Sequence, residues 1–275
     1  MLRALDEDIQ QGDLTTQALI PQEAQASGVI ASRRNGVLAG VALAARVFAL
    51  VDPRIVATPQ AADGERLVPG GVILRAEGPA RGMLSAERVA LNLLGHLCGI
   101  ATMTRAYVDA VGGARARIID TRKTTPGLRE LERYAVRAGG GCNHRTGLYD
   151  AILIKDNHLA VVGSVREALE RARACAPPGT AIEVECDSLA QVREALDAGA
   201  QAILLDNMPL GALREAVAIS NGRAVLEASG GILLERVGEI AATGVDLISV
   251  GALTHSVPAL DVGLDFTLSE SHCRR

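Results

Sequence analysis

Two lysines stand out in a chain that otherwise uses arginine for its cations. Of 28 basic residues only Lys123 and Lys155 are lysines. A lysine kept against that bias suits work that arginine does badly, as a compact point charge in a tight site or a group with a tunable pKa. Residues 115 to 145 hold eight Arg or Lys against three acidic residues, an excess of five positive charges (8 − 3) in a chain whose net charge is −4. Arg122 and Lys123 directly follow the aliphatic run Ile118-Ile119-Asp120, and His144-Arg145 follow Gly139-Gly140-Gly141. Cations at such positions suit carboxylate or phosphate ligands. Arg129, Arg133 and Arg137 repeat at helical spacing with Glu130 and Glu132 among them, which reads as a solvated, partly ion-paired helix face.

Glu185 and Asp206 close two consecutive aliphatic runs. Neighbouring parallel strands lie about 5 Å apart, so both carboxylates can converge on one ligand. They could hold a metal ion through water, or bond sugar hydroxyls and stabilise a developing cation. The competing reading has them capping helices or pairing with arginines. Glu227-Ala228-Ser229-Gly230-Gly231 and Ser249-Val250-Gly251-Ala252 each run from a strand pattern towards a helix pattern. Glycine lets the backbone approach an anion closely, and a helix N-terminus offers it free N–H groups. His255, just after the second glycine loop, is the better phosphate donor of the histidines; His158 reads as a helix-start residue.

These residues need a scaffold, and the strand patterns supply one. From residue 118 onward short aliphatic runs end in polar, charged or glycine residues, at 118–120, 151–155, 181–185, 202–206, 224–227 and 247–251. Helical patterns at 189–198 and 233–243 lie between the later runs, each followed by a glycine, Gly199 or Gly244. Buried strands alternating with helices read as a parallel α/β barrel, whose site gathers at the C-terminal strand ends. A doubly wound sheet is the alternative, but no GxGxxG follows the first strand. Residues 1–105 mix strand-like pieces with turn signals and two helices, one from about Arg34 to Leu50 and one over Ser85–Gly99 with Ser85 as N-cap. That predicts a separate N-terminal α+β domain, followed by a barrel domain over 106–275 whose tail, about 259–275, can pack back on it.

Composition excludes other classes. The chain is 48% hydrophobic and 22% charged, a profile of soluble globular proteins. It has no Trp and only five Phe plus Tyr (2 + 3), so stacking platforms for nucleic acid are scarce, and its charge is acidic. No apolar stretch is long enough to span a bilayer, and the chain opens without a secretion signal. Five cysteines without a CxxC pair suggest free thiols in a reducing cytoplasm. Cys142 with His144 makes only weak zinc spacing.

The ordered motifs carry a specific resemblance. Glu7-Asp8, Gly12-Asp13-Leu14-Thr15-Thr16, Glu87-Arg88, Thr121-Arg122-Lys123-Thr124-Thr125-Pro126-Gly127, Gly139-Gly140-Gly141, His144-Arg145 and Leu153-Ile154-Lys155-Asp156-Asn157-His158 come first. Glu183-Val184-Glu185, Leu205-Asp206-Asn207, Glu227-Ala228-Ser229-Gly230-Gly231 and Gly251-Ala252-Leu253-Thr254-His255-Ser256 follow. Across essentially the whole chain this resembles quinolinate phosphoribosyltransferase. The resemblance implies an incomplete TIM-like α/β barrel beside the N-terminal α+β domain. It implies transfer of phosphoribosyl from phosphoribosyl pyrophosphate (PRPP) to quinolinate with loss of carbon dioxide, giving nicotinate mononucleotide for NAD synthesis, with Mg²⁺ assisting. It further implies a cytoplasmic homodimer, with a hexamer as the larger alternative, in which Arg88 of one subunit completes the other's pocket.

Carried over by position, Arg122, His144 and Arg145, with Arg88 from across the interface, would clamp the quinolinate carboxylates. Lys123 and Lys155 would contact the substrate or the pyrophosphate, and Glu185 and Asp206 the ribose and its Mg²⁺. Ser229, Gly230, Gly231, Gly251 and His255 would hold the 5-phosphate end. Cys142 and Cys186 depart from the family pattern, which has apolar residues there, and so predict a thiol exposed near the pocket. The chain also starts almost at the Glu7-Asp8 pair, which against the family pattern implies either that part of the usual N-terminal helix is missing or that the start codon is misassigned. Three rivals remain: a molybdate-transport-associated paralogue acting on another acceptor, a Schiff-base aldolase using Lys155, and a phospho-ligand sensor without turnover.

Overall fold

Alternating burial explains the first strands. In β1 (Gln25–Ser32) Ala26, Gly28, Ile30 and Ser32 turn inward, and the strand pairs antiparallel with β5 (Val72–Pro79). The short β2 (Gly36–Val37) pairs with β4 (Arg66–Leu67), and β3 (Val56–Pro59) joins β5 on its other side. A late strand, β12 (Val262–Leu268), returns to the free edge of β1, from Ser32↔Val262 to Ala26↔Leu268. The sheet order is β12-β1-β5-β3. The computed structural model describes residues 1–268. The chain divides into two units: Met1–Met103, Glu130–Gly140 and the described residues from Val257 on, and Thr104–Arg129 with Gly141–Ser256. Of the tail expected to pack on the first domain, residues 269–275 lie outside the described residues.

Two helices of the first unit differ from the sequence expectation. The first starts at Val41, not near Arg34, and ends at Val51. Gly36 and Val37 are committed to β2, and Gly40, at φ 94°, supplies the left-handed turn into the helix. The Asp63 carboxylate accepts the free N–H groups of Gly40 (2.9 Å) and Val41 (3.1 Å), so a distant residue sets the start. The second helix runs over Ala80–Ala110, with Ser85 inside it. Ser85 caps nothing; its hydroxyl donates to Asp13 at 3.1 Å, and Asp13 is itself the N-cap of Leu14–Leu19. Gly95 and Gly99 mark where a distant segment lies against that helix. A Cβ on Gly99 would lie 2.4 Å from the Pro258 carbonyl and one on Gly95 2.8 Å from that of Leu260. Two bare turns therefore let the 258–260 segment run against the helix, where the Leu260 N–H donates to the Gly95 carbonyl at 2.8 Å.

In the second unit the six aliphatic runs become six parallel strands: β6 (Arg117–Ile119), β7 (Ala151–Ile154), β8 (Ala181–Cys186), β9 (Ala202–Asp206), β10 (Val225–Ser229) and β11 (Leu247–Ser249). Their order is β6-β11-β10-β9-β8-β7, so the last strand closes back on the first. On the other side of β6 there is only one bridge, Ile119 to Cys142, built on Cys142 N to Ile118 O (2.8 Å) and Asp120 N to Cys142 O (3.2 Å). No ladder joins that bridge to β7 among the described residues. The barrel is thus incomplete, as the resemblance implied. Serines start its helices: Ser164 accepts from Glu167 N (3.1 Å) and Ser188 from Gln191 N (3.4 Å).

The helix Arg129–Ala138 is only in part the solvated face that its spacing suggested, with Glu130 and Arg137 exposed. Glu132 and Arg133 are both buried, and His96 Nε2 lies 2.8 Å from the Glu132 carboxylate. The i, i+4 repeat was read with the charged stripe outward, but Glu132 and Arg133 fall on the same inward face as Ala135 and Val136. Among the described residues, no helix is long and apolar enough to cross a membrane.

Candidate active site

Strand alternation and short loops bring the expected residues of the second unit to one cavity of about 730 Å³. On its basic side stand Arg122 and Lys123 after β6, His144 and Arg145 after the Cys142 bridge, and Lys155 after β7. Opposite them, Glu185 of β8 and Asp206 of β9 line the same cavity. Ser229, Gly230 and Gly231 after β10 and Gly251 and His255 after β11 complete the C-terminal rim. Twelve of the thirteen residues expected from the sequence therefore meet. Arg88 does not line this cavity; it lies in the first unit, on Ala80–Ala110, beside a shallower depression with Leu91, Asn92 and Asp261.

The charges are arranged in pairs and in one surplus. Lys155 Nζ meets Glu185 Oε2 at 3.0 Å, with the lysine side chain half exposed towards the cavity. Lys155 also starts the helix Asp156–Val162, and its N–H donates to His158 Nδ1 at 2.8 Å, which fixes the backbone beneath the ammonium. So His158 does act at a helix start. Arg145 Nη1 donates to the Ala151 carbonyl at 3.0 Å. Burial, and then the neighbouring Arg122, hold the Arg145 guanidinium below its ordinary pKa. Arg122 Nε is buried and makes no hydrogen bond. Two close guanidiniums, one with an unanswered N–H, form a site that an anionic ligand would complete.

The glycine loops are shaped by contact. Gly230, at φ 94°, has no room for a Cβ, which would fall 2.2 Å from Asn207 Oδ1. Asn207 itself adopts a left-handed φ of 53°. Its N–H donates to the Ser229 carbonyl (2.9 Å) and its Nδ2 to Asp206 Oδ2 (2.7 Å), so it joins the Asp206 carboxylate to the glycine loop. At Gly251 a Cβ would meet Lys123 Cδ and His255 Nε2, each at 3.1 Å, so glycine lets both side chains lie over the backbone. Thr254 Oγ1 donates to the Lys123 carbonyl at 2.8 Å and fixes the loop that carries that lysine.

Beneath this rim His144, expected in the clamp, meets two carboxylates that were given no role from the sequence, Glu183 and Glu227. His144 Nε2 is 3.0 Å from Glu183 Oε2 and 3.5 Å from Glu227 Oε2, while its Nδ1 accepts the Arg145 N–H at 2.6 Å. Burial disfavours the imidazolium, but the Glu183 bond and the Glu227 charge outweigh it, and the His144 pKa is raised. Burial, then Glu183, pushes the Glu227 carboxyl up to about 7. Both Glu227 oxygens are buried without a hydrogen bond. The period of two would have found these residues: Glu183 shares a strand face with Glu185, and Glu227 with Ser229. Asn207 gave only a turn signal.

Neither departing cysteine lines the cavity. Cys186 is fully buried, and burial pushes its thiol up to about 12. On β8 it alternates with Glu185, so it faces away from the site and the expected exposed thiol is not there. Cys142 is half-buried at its bridge.

Profiles of two domains match the chain: the quinolinate phosphoribosyl transferase N-terminal domain over residues 13–98 and its C-terminal domain over 100–265. The chain belongs to the quinolinate phosphoribosyl transferase family. Within that family it is 50% identical to the nicotinate-nucleotide pyrophosphorylase [carboxylating] of Mycobacterium leprae, covering 96% of this chain and 94% of that protein. The probable nicotinate-nucleotide pyrophosphorylase [carboxylating] of Bacillus subtilis is 48% identical, over 96% and 91%. The crystal structure of NadC from Streptococcus pyogenes superposes with a TM-score of 0.95 at 44% identity, over 98% of this chain and 95% of that one.

Proposed function

We propose that this chain transfers phosphoribosyl from PRPP to quinolinate and releases pyrophosphate and carbon dioxide, giving nicotinate mononucleotide. The observation that carries this reading is the division of one cavity into a basic half, Arg122, Lys123, His144, Arg145 and Lys155, and a carboxylate half, Glu185 and Asp206, beside two glycine loops. The printed names of the M. leprae and B. subtilis relatives support the carboxylating reaction. A dicarboxylate suits the Arg122–His144–Arg145 side, and a phosphate suits the backbone N–H groups near Gly230, Gly231 and Gly251, with Ser229 and His255 as donors.

Breaking the C1–O bond to pyrophosphate leaves an oxocarbenium-like ribose, and Glu185 and Asp206 stabilise that developing charge. Lys123 and Lys155 neutralise the departing pyrophosphate. The pyridine nitrogen then forms the new C–N bond, and the resulting pyridinium accepts the electron pair released when the adjacent carboxylate leaves as carbon dioxide. A proton added to that ring carbon completes the product. The arginine clamp orients the acceptor, and orientation is the larger part of what such a reaction needs from its enzyme. The oxygen donors Glu185 and Asp206, on adjacent strands, fit a hard cation held partly through water, and Mg²⁺ there would neutralise pyrophosphate charge. We also assign Arg88 to the pocket of a second subunit in a homodimer.

The deciding experiment supplies Mg²⁺, PRPP and quinolinate, follows nicotinate mononucleotide, and uses nicotinate as the control acceptor. Product from quinolinate alone supports the assignment. Silence with both acceptors, from folded protein, overturns it in favour of the paralogue or the sensor.

A further inference from the structure

We propose that Glu227 is a positioning residue of the acceptor site, resting on the reading above: as a protonated carboxyl it shares the Nε2 side of His144 with Glu183, holds the imidazole in place, and keeps a second negative charge off the cavity floor. The geometry sets the proton count. His144 Nδ1 accepts the Arg145 N–H, so the ring proton sits on Nε2, facing Glu183 at 3.0 Å and Glu227 at 3.5 Å. One N–H stands before two carboxyl groups. Two bare carboxylates beside a neutral ring would repel one another in a poorly hydrated space, so the trio must carry a second proton.

Burial decides which carboxyl holds it. The Glu227 side chain is 2% exposed against 13% for Glu183, and burial with the Glu183 charge outweighs the two neighbours that favour its anion, His144 and the Ser249 hydroxyl. The groups facing it are Glu183 from β8, His144 from the segment after Gly141, and the buried Ser249 hydroxyl from β11. From β9 the residue in register is the apolar Leu204. Only His144 favours ionisation by charge, and burial with Glu183 outweighs it. The proposed acceptor is a dianion, held by the guanidiniums of Arg122 and Arg145 beside the His144 ring. An ionised Glu227 would put a competing anion beneath that clamp and draw the imidazole down towards itself. The site is then built to bind its acceptor while Glu227 keeps its proton.

The test compares wild type with Glu227→Gln and Glu227→Asp, measuring kcat and KM for quinolinate from pH 6 to pH 9 with saturating PRPP and Mg²⁺. Wild type is expected to lose kcat/KM by about tenfold per pH unit above the Glu227 pKa, through KM. Gln, which cannot ionise, abolishes that limb; Asp, which can, retains it at a higher KM. A limb unchanged in Gln, or one carried by kcat alone, overturns the proposal. Infrared spectroscopy at pH 6 gives an arm that needs no turnover. The carbonyl stretch of a protonated carboxylic acid should be present in wild type and missing from Gln, and its absence from wild type refutes the proton assignment. If wild type turns over no quinolinate, the activity reading fails, and the infrared band alone decides whether Glu227 holds the proton.

Discussion

Replacing Glu227 by Gln should stabilise the protein relative to wild type increasingly as the pH rises from about 4.5 to 8. In the folded chain burial, followed by the Glu183 charge, lifts this carboxyl from 4.5 to about 7. The folded state then binds the proton more tightly than the unfolded chain does. The stability from this group is therefore full below the unfolded pKa, declines as pH rises, and is lost once pH passes the folded pKa. One pKa unit corresponds to about 1.4 kcal/mol, so a rise of this size sets a ceiling of about 3 kcal/mol. His144, 3.5 Å away, works against this rise through its charge. Gln keeps the volume and the neutral state, so its advantage over wild type should grow across that window and level off above it. Chemical denaturation of both proteins in matched buffers at half-unit steps measures the difference, and other carboxylates cancel in the comparison. A difference that stays flat with pH, or one that moves in favour of wild type, would refute the argument.

Three further outcomes follow from the same geometry. Gly230→Ala should raise KM for PRPP by about 10- to 100-fold, because its Cβ would displace Asn207 from Asp206, whereas Gly231→Ala, which has open space, should cost much less; equal effects would remove Asn207 from the argument. Lys155→Ala should lower kcat by about tenfold or more while KM for quinolinate changes little, since Lys155 faces Glu185 across the cavity rather than the arginine clamp; parallel losses in both constants would rule out a transition-state role. Mapping thiol alkylation on the native protein should show Cys175 labelled and Cys98 and Cys186 protected, both pushed up to about 12 by burial; labelling of Cys186 before unfolding would contradict its outward, covered position on β8.

How much of this molecule could be read in advance depends on which force wrote each feature. The parallel strands were legible because a strand buried on both faces must be aliphatic along its length, and its end shows where a polar residue is first permitted. The run Ala202-Ile203-Leu204-Leu205-Asp206 became β9 with those same bounds. Helix starts in the first unit were not legible. Val41 begins its helix because Asp63 reaches it, and no local pattern records a contact made more than twenty residues away. The β12 strand itself was legible and went unread: Val262, Leu264, Phe266 and Leu268 alternate with Gly263, Asp265 and Thr267, and only its partner, the edge of β1, lies beyond any local pattern.

The site divides along the same line. Arg122, Lys123, Lys155, Glu185 and Asp206 were found because each ends an aliphatic run, where a charge is conspicuous. Glu183 sits inside such a run, where the same logic treats a carboxylate as an interruption, and Glu227, which closes the run 224–227, was read only as the start of a glycine loop. Alternation corrects this: once Glu185 and Ser229 face the cavity, their neighbours two positions back must face it too, one layer deeper. Depth then changes the chemistry. Glu185 at the rim has the Lys155 ammonium at 3.0 Å, while Glu227 at the floor has no such cation and burial pushes its carboxyl up to about 7. The same residue type therefore serves two ends in one barrel, Glu185 facing the ribose side of the cavity and Glu227 lying beneath the acceptor, and what separates them is the depth of the layer each strand position occupies.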